Sequence, residues 1–213
     1  MDCNIGIAVL VTGGEDYIES IFHKEWPTNA VAFVNKLRDR TIKYLHINAI
    51  PYYYQEVNNQ ARLRNAALWY FRDKEYVFMV EDMLIVEEED IFERFTESMD
   101  MNCRSYIPYT YSSKALTPIP GFELLRGSVC KEVGALDLTM DSFWESWLDY
   151  LSRIDGLYQD WVENRIAAVP GRGIQIIDAE RLNHYQEQEF SLVDFGGSMK
   201  ILPIKEPEGR FYL

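Results

Sequence analysis

The sequence predicts an α/β fold in which a mainly parallel sheet is flanked by helices within a single domain. Short runs of β-branched and aliphatic residues alternate with segments of helical periodicity, which favours parallel strands joined by right-handed crossovers. Of the 213 residues, 47% are hydrophobic, and a chain of this size and composition can bury a full core. Ligands of such sheets bind beyond the carboxyl ends of the strands.

The first half of the chain contains four predicted strands and three predicted helical segments. The first strand, residues 4–11, is apolar almost throughout, which is typical of a strand buried on both faces, and it ends at Thr12-Gly13-Gly14. The later strands are predicted at 30–34, 45–50 and 76–80, and the helical segments at 15–26, 37–44 and 58–71. The fourth strand runs directly into the acidic pair Glu81-Asp82.

The second half has a less regular rhythm. Helices are predicted at 88–99, 141–154 and 160–168, and strands at 106–111 and 173–177, around an irregular loop at 112–122. Residues 190–213 contain two adjacent glycines and two prolines, which indicates an extended tail. We therefore expect one domain over residues 1–189 and a C-terminal tail, residues 190–213, that packs on it.

Composition and charge limit the classes of function. The chain has 21 basic and 34 acidic residues, a formal charge of −13, which disfavours sequence-independent binding to nucleic acids. Its three cysteines lack CxxC spacing, which predicts free thiols. No apolar run approaches the roughly 18 residues of a membrane span, and the first residues lack a basic signal region, so we expect a soluble, cytoplasmic protein.

The acidic pair Glu81-Asp82 is the first candidate site, because it follows a buried strand at the edge where parallel sheets bind ligands. Carboxylate oxygens suit Mg²⁺ or Mn²⁺, which often take one or two protein ligands and the rest from phosphates and water. A solvated turn explains the pair equally well. The acidic run at 87–90 is interpreted as the charged first turn of the next helix.

Several short motifs follow one another in an informative order. Residues 62–68 read RLRNAAL and residues 75–83 read EYVFMVEDM, and they resemble the ARNxGL and GEYIxFLDDD segments of GT-A-fold glycosyltransferases, especially family 2. Further segments resemble family motifs in the same order, namely 15–18 (EDYI), 127–137 (GSVCKEVGALD), 159–165 (QDWVENR) and 179–184 (AERLNH). The resemblance covers residues 5–184. It implies a GT-A-like, Rossmann-like domain with a nucleotide-sugar half at about 1–100 and an acceptor half at about 101–189.

The resemblance also implies a function and a set of site residues. The function is that of a hexosyl- or pentosyl-transferase, which moves a sugar from a UDP- or GDP-sugar to an acceptor hydroxyl with inversion. Asp82 and His184 would bind Mn²⁺ or Mg²⁺, with Glu81 beside them in the donor site, and Asp160 would be the general base. The residues expected around the nucleoside are Thr12, Gly13, Glu15, Asn35, Arg62 and Asn65. The acceptor is left open between a glycan, a protein, a small molecule and, less favoured, a modified DNA base.

Departures from the family pattern keep two alternatives open. The family's acids two positions apart are replaced by the adjacent pair Glu81-Asp82, Asn35 stands where the family often has Asp, and Gln159 precedes Asp160. These departures motivate the first alternative, a catalytically inactive GT-A-shaped binding or scaffold protein. The second is a nucleotidyltransferase, which is ranked last because residues 12–16 lack the basic residue usual in the glycine-rich loop of that class.

Overall fold

The structure is a computed structural model that describes residues 4–12, 18–22, 30–36, 39–82, 84–86, 105–106, 121–157, 174–176, 180 and 201–212. Its strands are β1 (Ile5–Val11), β2 (Ala30–Asn35), β3 (Tyr52–Gln55), β4 (Tyr76–Glu81), β5 (Leu84–Val86), β6 (Ser105–Tyr106), β7 (Phe122–Arg126), β8 (Ile174–Ile176) and β9 (Arg210–Tyr212). Its helices are α1 (Ile18–Ile21), α2 (Asp39–Ile47), α3 (Gln60–Tyr70), α4 (Gly127–Val133) and α5 (Phe143–Leu157). Within these ranges, no helix combines the length and the apolar character that a membrane crossing requires.

Seven of these strands form one sheet in the order β6-β7-β4-β1-β2-β3-β9. Strands β1 to β4 are parallel to one another, whereas β6, β7 and β9 pair with their neighbours in the antiparallel sense. The chain runs outward from β1 through β2 to β3 and then returns to the other side of β1 as β4. The strand order therefore reverses at the carboxyl ends of β1 and β4, the place where open parallel sheets bind their ligands. The predicted α/β fold with a mainly parallel sheet is confirmed.

Helices α3 and α5 pack on one face of this sheet and build the core with it. Every residue of β1 is buried, because the strand lies in the middle of the sheet. The start of α3 is capped by Asn59, whose side chain accepts a hydrogen bond from the backbone N–H of Arg62. The residues through which the two helices enter the core include Leu63, Ala67, Leu68, Trp147, Leu151 and Ile154.

Most predicted elements that fall on described residues are confirmed. They are the strands at 4–11, 30–34, 76–80 and 173–177 and the helices at 37–44, 58–71 and 141–154, with ends shifted by a few residues. Only residues 18–22 of the helix predicted at 15–26 are described, and of the strand predicted at 106–111 only its first residue. The helices predicted at 88–99 and 160–168 lie outside the described residues.

The strand predicted at 45–50 is wrong. The residues LHINAI alternate in a way that mimics a strand, but Thr41 and Leu45, four positions apart, are buried on one helix face, so α2 continues to its end at Ile47. Ile47 itself is 71% exposed, so the alternating apolar residues do not form one buried face. The third strand begins only at Tyr52. Strand β7 is an element that the sequence did not predict, in a region assigned partly to an irregular loop.

The C-terminal strap, residues 201–212, is fastened at both ends. Near its start, the backbone of Leu202 bridges to Gly134, and its carbonyl accepts a hydrogen bond from Ala135 N at 2.7 Å. Near its end, β9 pairs with β3, and the ring of Phe211 stacks on Tyr70 with 5.0 Å between centroids. This segment of the predicted tail therefore contributes a strand to the main sheet. The domain boundary at residue 189 stays a prediction.

Candidate functional site

Asp82, the residue directly after β4, lies beside the end of β1 where the strand order reverses. Its backbone N–H donates to the carbonyl of Leu10 at 3.0 Å, which continues the strand pairing past the end of β4. Its carboxylate accepts two hydrogen bonds from Thr12, one from the backbone N–H at 2.9 Å and one from the hydroxyl at 3.3 Å. Asp82 is fully buried. The structure thus brings the predicted residues Thr12 and Asp82 together at the switch point of the sheet.

Glu81 lies next to Asp82 in the chain, but its side chain has a different environment. As the last residue of β4 it shares the face of Val77 and Met79, which packs against α3. There its carboxylate pairs with the guanidinium of Arg64 at 2.5 Å, and both side chains are fully buried. Because Asp82 contacts the end of β1 instead, the two acids do not share one set of partners. The period-2 pattern of β4 is the sequence signal that separates them.

The cation of this buried pair is also held by aromatic rings. The guanidinium carbon of Arg64 lies 4.6 Å from the ring centroid of Phe143 and 5.6 Å from that of Trp147, distances at which a cation is attracted by the ring faces. Arg64 therefore ties α3, α5 and the end of β4 together. The contacts of Arg64 therefore stabilise the end of β4, next to Asp82.

A second polar group forms at the ends of β2 and β3, where Asn35 and Gln55 are register partners. The amide nitrogen of Gln55 donates to Asn35 Oδ1 and also lies 2.9 Å from the carbonyls of Val57 and Asn59. Asn35 is 8% exposed, and its own amide nitrogen is buried with no hydrogen-bond partner in the described part of the chain. A buried donor left unpaired costs about 1–3 kcal/mol. Gln55 was not predicted, because the third strand was placed too early.

Gln55 also lines a pocket of about 370 Å³ between β3, α3, residues 135–138 and the C-terminal strap. Its volume is in the range of small-molecule sites. Arg62 and Asn65, both predicted near the nucleoside, line it as well. Leucine and proline side chains supply apolar wall, and the remaining charged residues that line it are Asp137, Lys205, Glu206 and Glu208.

The two predicted residues on α3 play different parts in this pocket. The amide of Asn65 donates to the carbonyl of Leu136 at 3.0 Å and accepts from its N–H at 2.8 Å, so it holds residues 135–138 against α3. Arg62 instead forms an ion pair with Glu208 of the strap at 2.8 Å, and the two side chains are 39% and 86% exposed. An ion pair this exposed is weak, so a ligand can compete for Arg62.

Tyr53 and Cys130 are buried groups with raised pKa values. Burial raises the pKa of Tyr53, whose hydroxyl accepts a hydrogen bond from the backbone N–H of Gly209 and lines the pocket. Burial raises the pKa of the Cys130 thiol to about 12. Cys130 is free, as the sequence predicted. With so high a pKa it carries almost no thiolate at neutral pH, and it is not a nucleophile candidate.

Four predicted site residues, Gly13, Glu15, Asp160 and His184, lie outside the described residues, so their roles stay predictions. Among the residues that the structure does describe, no group of three or more His, Cys, Asp and Glu side chains is arranged to hold a metal. A divalent cation with a diphosphate needs only one or two protein carboxylates. Asp82 supplies one such carboxylate, held by Thr12 at the carboxyl end of the parallel strands.

Comparison with solved structures identifies the fold. A mannosyltransferase from Pyrobaculum calidifontis, solved in complex with GDP-Man and Mn²⁺, matches 85% of this chain with a TM-score of 0.58 and 13% identity, and this chain spans 60% of its length. A cytidylyltransferase from Leptospira borgpetersenii serovar Hardjo-bovis matches 80% of this chain and 77% of its own, with a TM-score of 0.51 and 10% identity. No family model and no curated protein matches the sequence.

Likeness at such low identity is evidence of shared architecture. The chain therefore has a GT-A-like fold, one that glycosyltransferases and nucleotidyltransferases share. The fold implied by the sequence motifs is confirmed. Membership of family 2 stays a prediction.

Proposed function

We propose that this protein is a glycosyltransferase that moves a sugar from a nucleotide-sugar donor to an acceptor hydroxyl, with inversion. The observation that carries the proposal is the buried Asp82 carboxylate, held by Thr12 where the strand order of a GT-A-like sheet reverses. Ligands of open parallel sheets bind at such a reversal. The pocket lined by Gln55, Arg62 and Asn65 lies beyond the end of the outer strand β3 and gives a nucleoside room.

In this proposal Asp82 binds the divalent cation, and His184 is the predicted second ligand. When bound, Mn²⁺ or Mg²⁺ supplies Lewis-acid stabilisation to the leaving nucleoside diphosphate. Thr12 fixes the rotamer of Asp82 through two hydrogen bonds, so little reorganisation is needed on binding. Glu81 contributes indirectly, because its pairing with Arg64 holds the end of β4 in place.

The remaining roles concern the nucleoside and the acceptor. Asn35 and Arg62 contact the nucleoside, while Asn65 positions residues 135–138 beside it. Gly13 and Glu15, which follow β1 in the chain, complete the nucleoside pocket. Asp160 removes the proton from the acceptor hydroxyl as that oxygen attacks the anomeric carbon of the sugar.

One observation favours an alternative, a GT-A-shaped binding protein without transferase activity. The carboxylate of Glu81 forms a buried ion pair with Arg64, so one of the two adjacent acids has a structural role in the core. A protein that keeps the nucleotide pocket but holds metal poorly would bind nucleotides without transferring sugar.

Calorimetric titration of the full chain with UDP, GDP and their sugars, with and without Mn²⁺, tests the proposal. We expect binding that Mn²⁺ strengthens and that Asp82→Asn weakens by about tenfold or more in the presence of Mn²⁺, since the variant loses a ligand charge. Asp73→Asn is the matched control, because it makes the same change on an exposed side chain after α3, and it should bind like the natural protein.

The outcomes separate the candidate functions. Failure of every nucleotide and nucleotide sugar to bind would overturn the proposal. Binding that is equal with and without Mn²⁺ and equal in Asp82→Asn, together with no sugar transfer or donor hydrolysis, would favour the inactive binding protein. Release of pyrophosphate from a nucleoside triphosphate and a sugar 1-phosphate would identify a nucleotidyltransferase instead.

A further inference from the structure

The orientation of the Asn35 carboxamide is determined by the atoms around Gln55. The carbonyls of Val57 and Asn59 can only accept hydrogen bonds, so the atom of Gln55 that lies 2.9 Å from both must be its amide nitrogen. The atom of Asn35 that faces this nitrogen must then be its oxygen. The orientation of both side chains thus follows from the hydrogen-bond network.

One polar group of Asn35 is left over by this arrangement, and it is a donor. The amide nitrogen of Asn35 is buried and has no partner within the described residues. Buried donors are nearly always paired in folded proteins. The group sits at the carboxyl end of β2, one strand away from Thr12 at the end of β1, and its partner Gln55 lines the pocket at the end of β3.

We propose that Asn35 is a hydrogen-bond donor to the bound nucleotide. Gln55 fixes the orientation of the Asn35 carboxamide, so the group on the ligand that contacts its amide nitrogen is an acceptor. This inference rests on the proposed function and deepens it by stating what the pocket selects. An aspartate at this position would accept a hydrogen bond from an N–H of the base. Asparagine in the observed orientation donates instead, to a ring nitrogen or a carbonyl oxygen of the base.

Because the pair is tied to the backbone carbonyls that follow β3, Asn35 cannot reverse its amide without breaking its bond to Gln55. A reversed amide would set two amide nitrogens against each other, both of them donors. Gln55 is therefore a positioning residue and Asn35 the residue that contacts the ligand. Asn35 discriminates as a fixed donor beside the pocket that Gln55 lines, and ligands that present only an N–H to it are rejected.

Binding of UDP, CDP and GDP to three forms of the full chain tests the inference. For the nucleotide that binds the natural protein best, Asn35→Ala should weaken binding about threefold to tenfold, as loss of one neutral hydrogen bond does. Asn35→Asp should weaken it further, by about 100-fold, because a carboxylate would face an acceptor on the ligand. Asn4→Asp makes the same change on an exposed residue at the opposite edge of the sheet and should leave binding within twofold.

The affinities of the natural protein and of Asn35→Asp show whether Asn35 donates a hydrogen bond to the ligand or accepts one from it. If Asn35→Asp binds as tightly as the natural protein or more tightly, Asn35 accepts from the ligand and the inference is wrong. Preference for CDP over UDP would identify ring nitrogen N3 as the acceptor, because N3 accepts in cytosine and donates in uracil. Preference for UDP over CDP would identify the O4 carbonyl, which cytosine replaces by an amino group, and preference for GDP would identify a purine acceptor, either O6 or a ring nitrogen. If no nucleotide binds the natural protein, the proposed function itself fails.

A spectroscopic readout does not depend on Asn35→Asp folding. The side-chain NH₂ resonances of Asn35, assigned by their absence in Asn35→Ala, should shift on saturation with the best nucleotide. In Gln55→Ala, which frees the amide of Asn35, the affinity difference between CDP and UDP should shrink by at least threefold. Unchanged NH₂ resonances at saturation would overturn the inference.

Discussion

Removing either partner of the buried Arg64–Glu81 pair should destabilise the protein more than any exposed substitution. Both side chains are fully buried, so Arg64→Met takes the guanidinium away from a buried carboxylate, and Glu81→Leu takes the carboxylate away from a buried guanidinium. Each single change should cost about 3–5 kcal/mol. For a chain of this length, 1 kcal/mol lowers Tm by about 2–4 °C, so each variant should melt about 6–20 °C lower.

The double variant distinguishes a paired charge from two independent contributions. Replacing both partners by apolar side chains removes both buried charges, and such replacements are often close to neutral. Some cost remains, because Arg64 also packs on the rings of Phe143 and Trp147. We expect Arg64→Met/Glu81→Leu to be at least about 3 kcal/mol more stable than the two single effects would predict if added.

Urea unfolding of the four proteins, followed by circular dichroism, measures this coupling. The control cycle is Arg62→Met with Glu208→Leu, an exposed ion pair that starts two residues away on the same helix, and its coupling should stay below about 1 kcal/mol. Additive effects in the Arg64–Glu81 cycle, or equal coupling in both cycles, would refute the assignment of Glu81 to the core.

Two further predictions concern α4 and the residue that ends it. Gly134 has φ +82°, and a Cβ there would lie 1.8 Å from the carbonyl oxygen of Leu202. In urea unfolding, Gly134→Ala should therefore lower the free energy of unfolding by more than about 2 kcal/mol, whereas Ser128→Ala, on an exposed side chain, should change it by less than about 0.5 kcal/mol. Equal effects of the two substitutions would contradict the close contact between Gly134 and the C-terminal strap. The pKa of Cys130 is raised above its usual value of 9.0 to about 12, so its contribution to stability is complete below pH 9 and is lost as the pH rises toward 12. Thiol titration at pH 8 should count equally many reactive groups in the native natural protein and native Cys130→Ala, and one more in the natural protein after denaturation; an extra native thiol would contradict its burial.

Local pattern was sufficient for the elements whose burial is regular. Strand β1 is apolar along its whole length, and the helix from 58 to 71 has one apolar face, so both were predicted close to their observed bounds. The pattern failed at 45–50, where the alternation of Leu45 and Ile47 resembles a strand although only Leu45 is buried. Alternation in sequence does not show which positions the rest of the chain covers.

The same limit applies to the candidate site. The pairing of Asp82 with Thr12 joins residues 70 positions apart, yet both were predicted at one edge because parallel strands bring their carboxyl ends together. Glu81 was predicted beside Asp82 since the two are adjacent in sequence. Its partner Arg64 lies on a helix, and the sequence around β4 does not indicate that the two residues pair.

What the sequence by itself determined is the α/β class, the parallel centre of the sheet and the edge at which polar residues collect. These follow from the periodicity of burial and from the geometry of crossovers, and short stretches of sequence determine both. Only the tertiary structure decided that Glu81 serves the core, that Gln55 locks Asn35 as a donor, and that the C-terminal strap closes a pocket over α3. Those outcomes depend on side chains that meet from distant parts of the chain, and their contacts have no local signature.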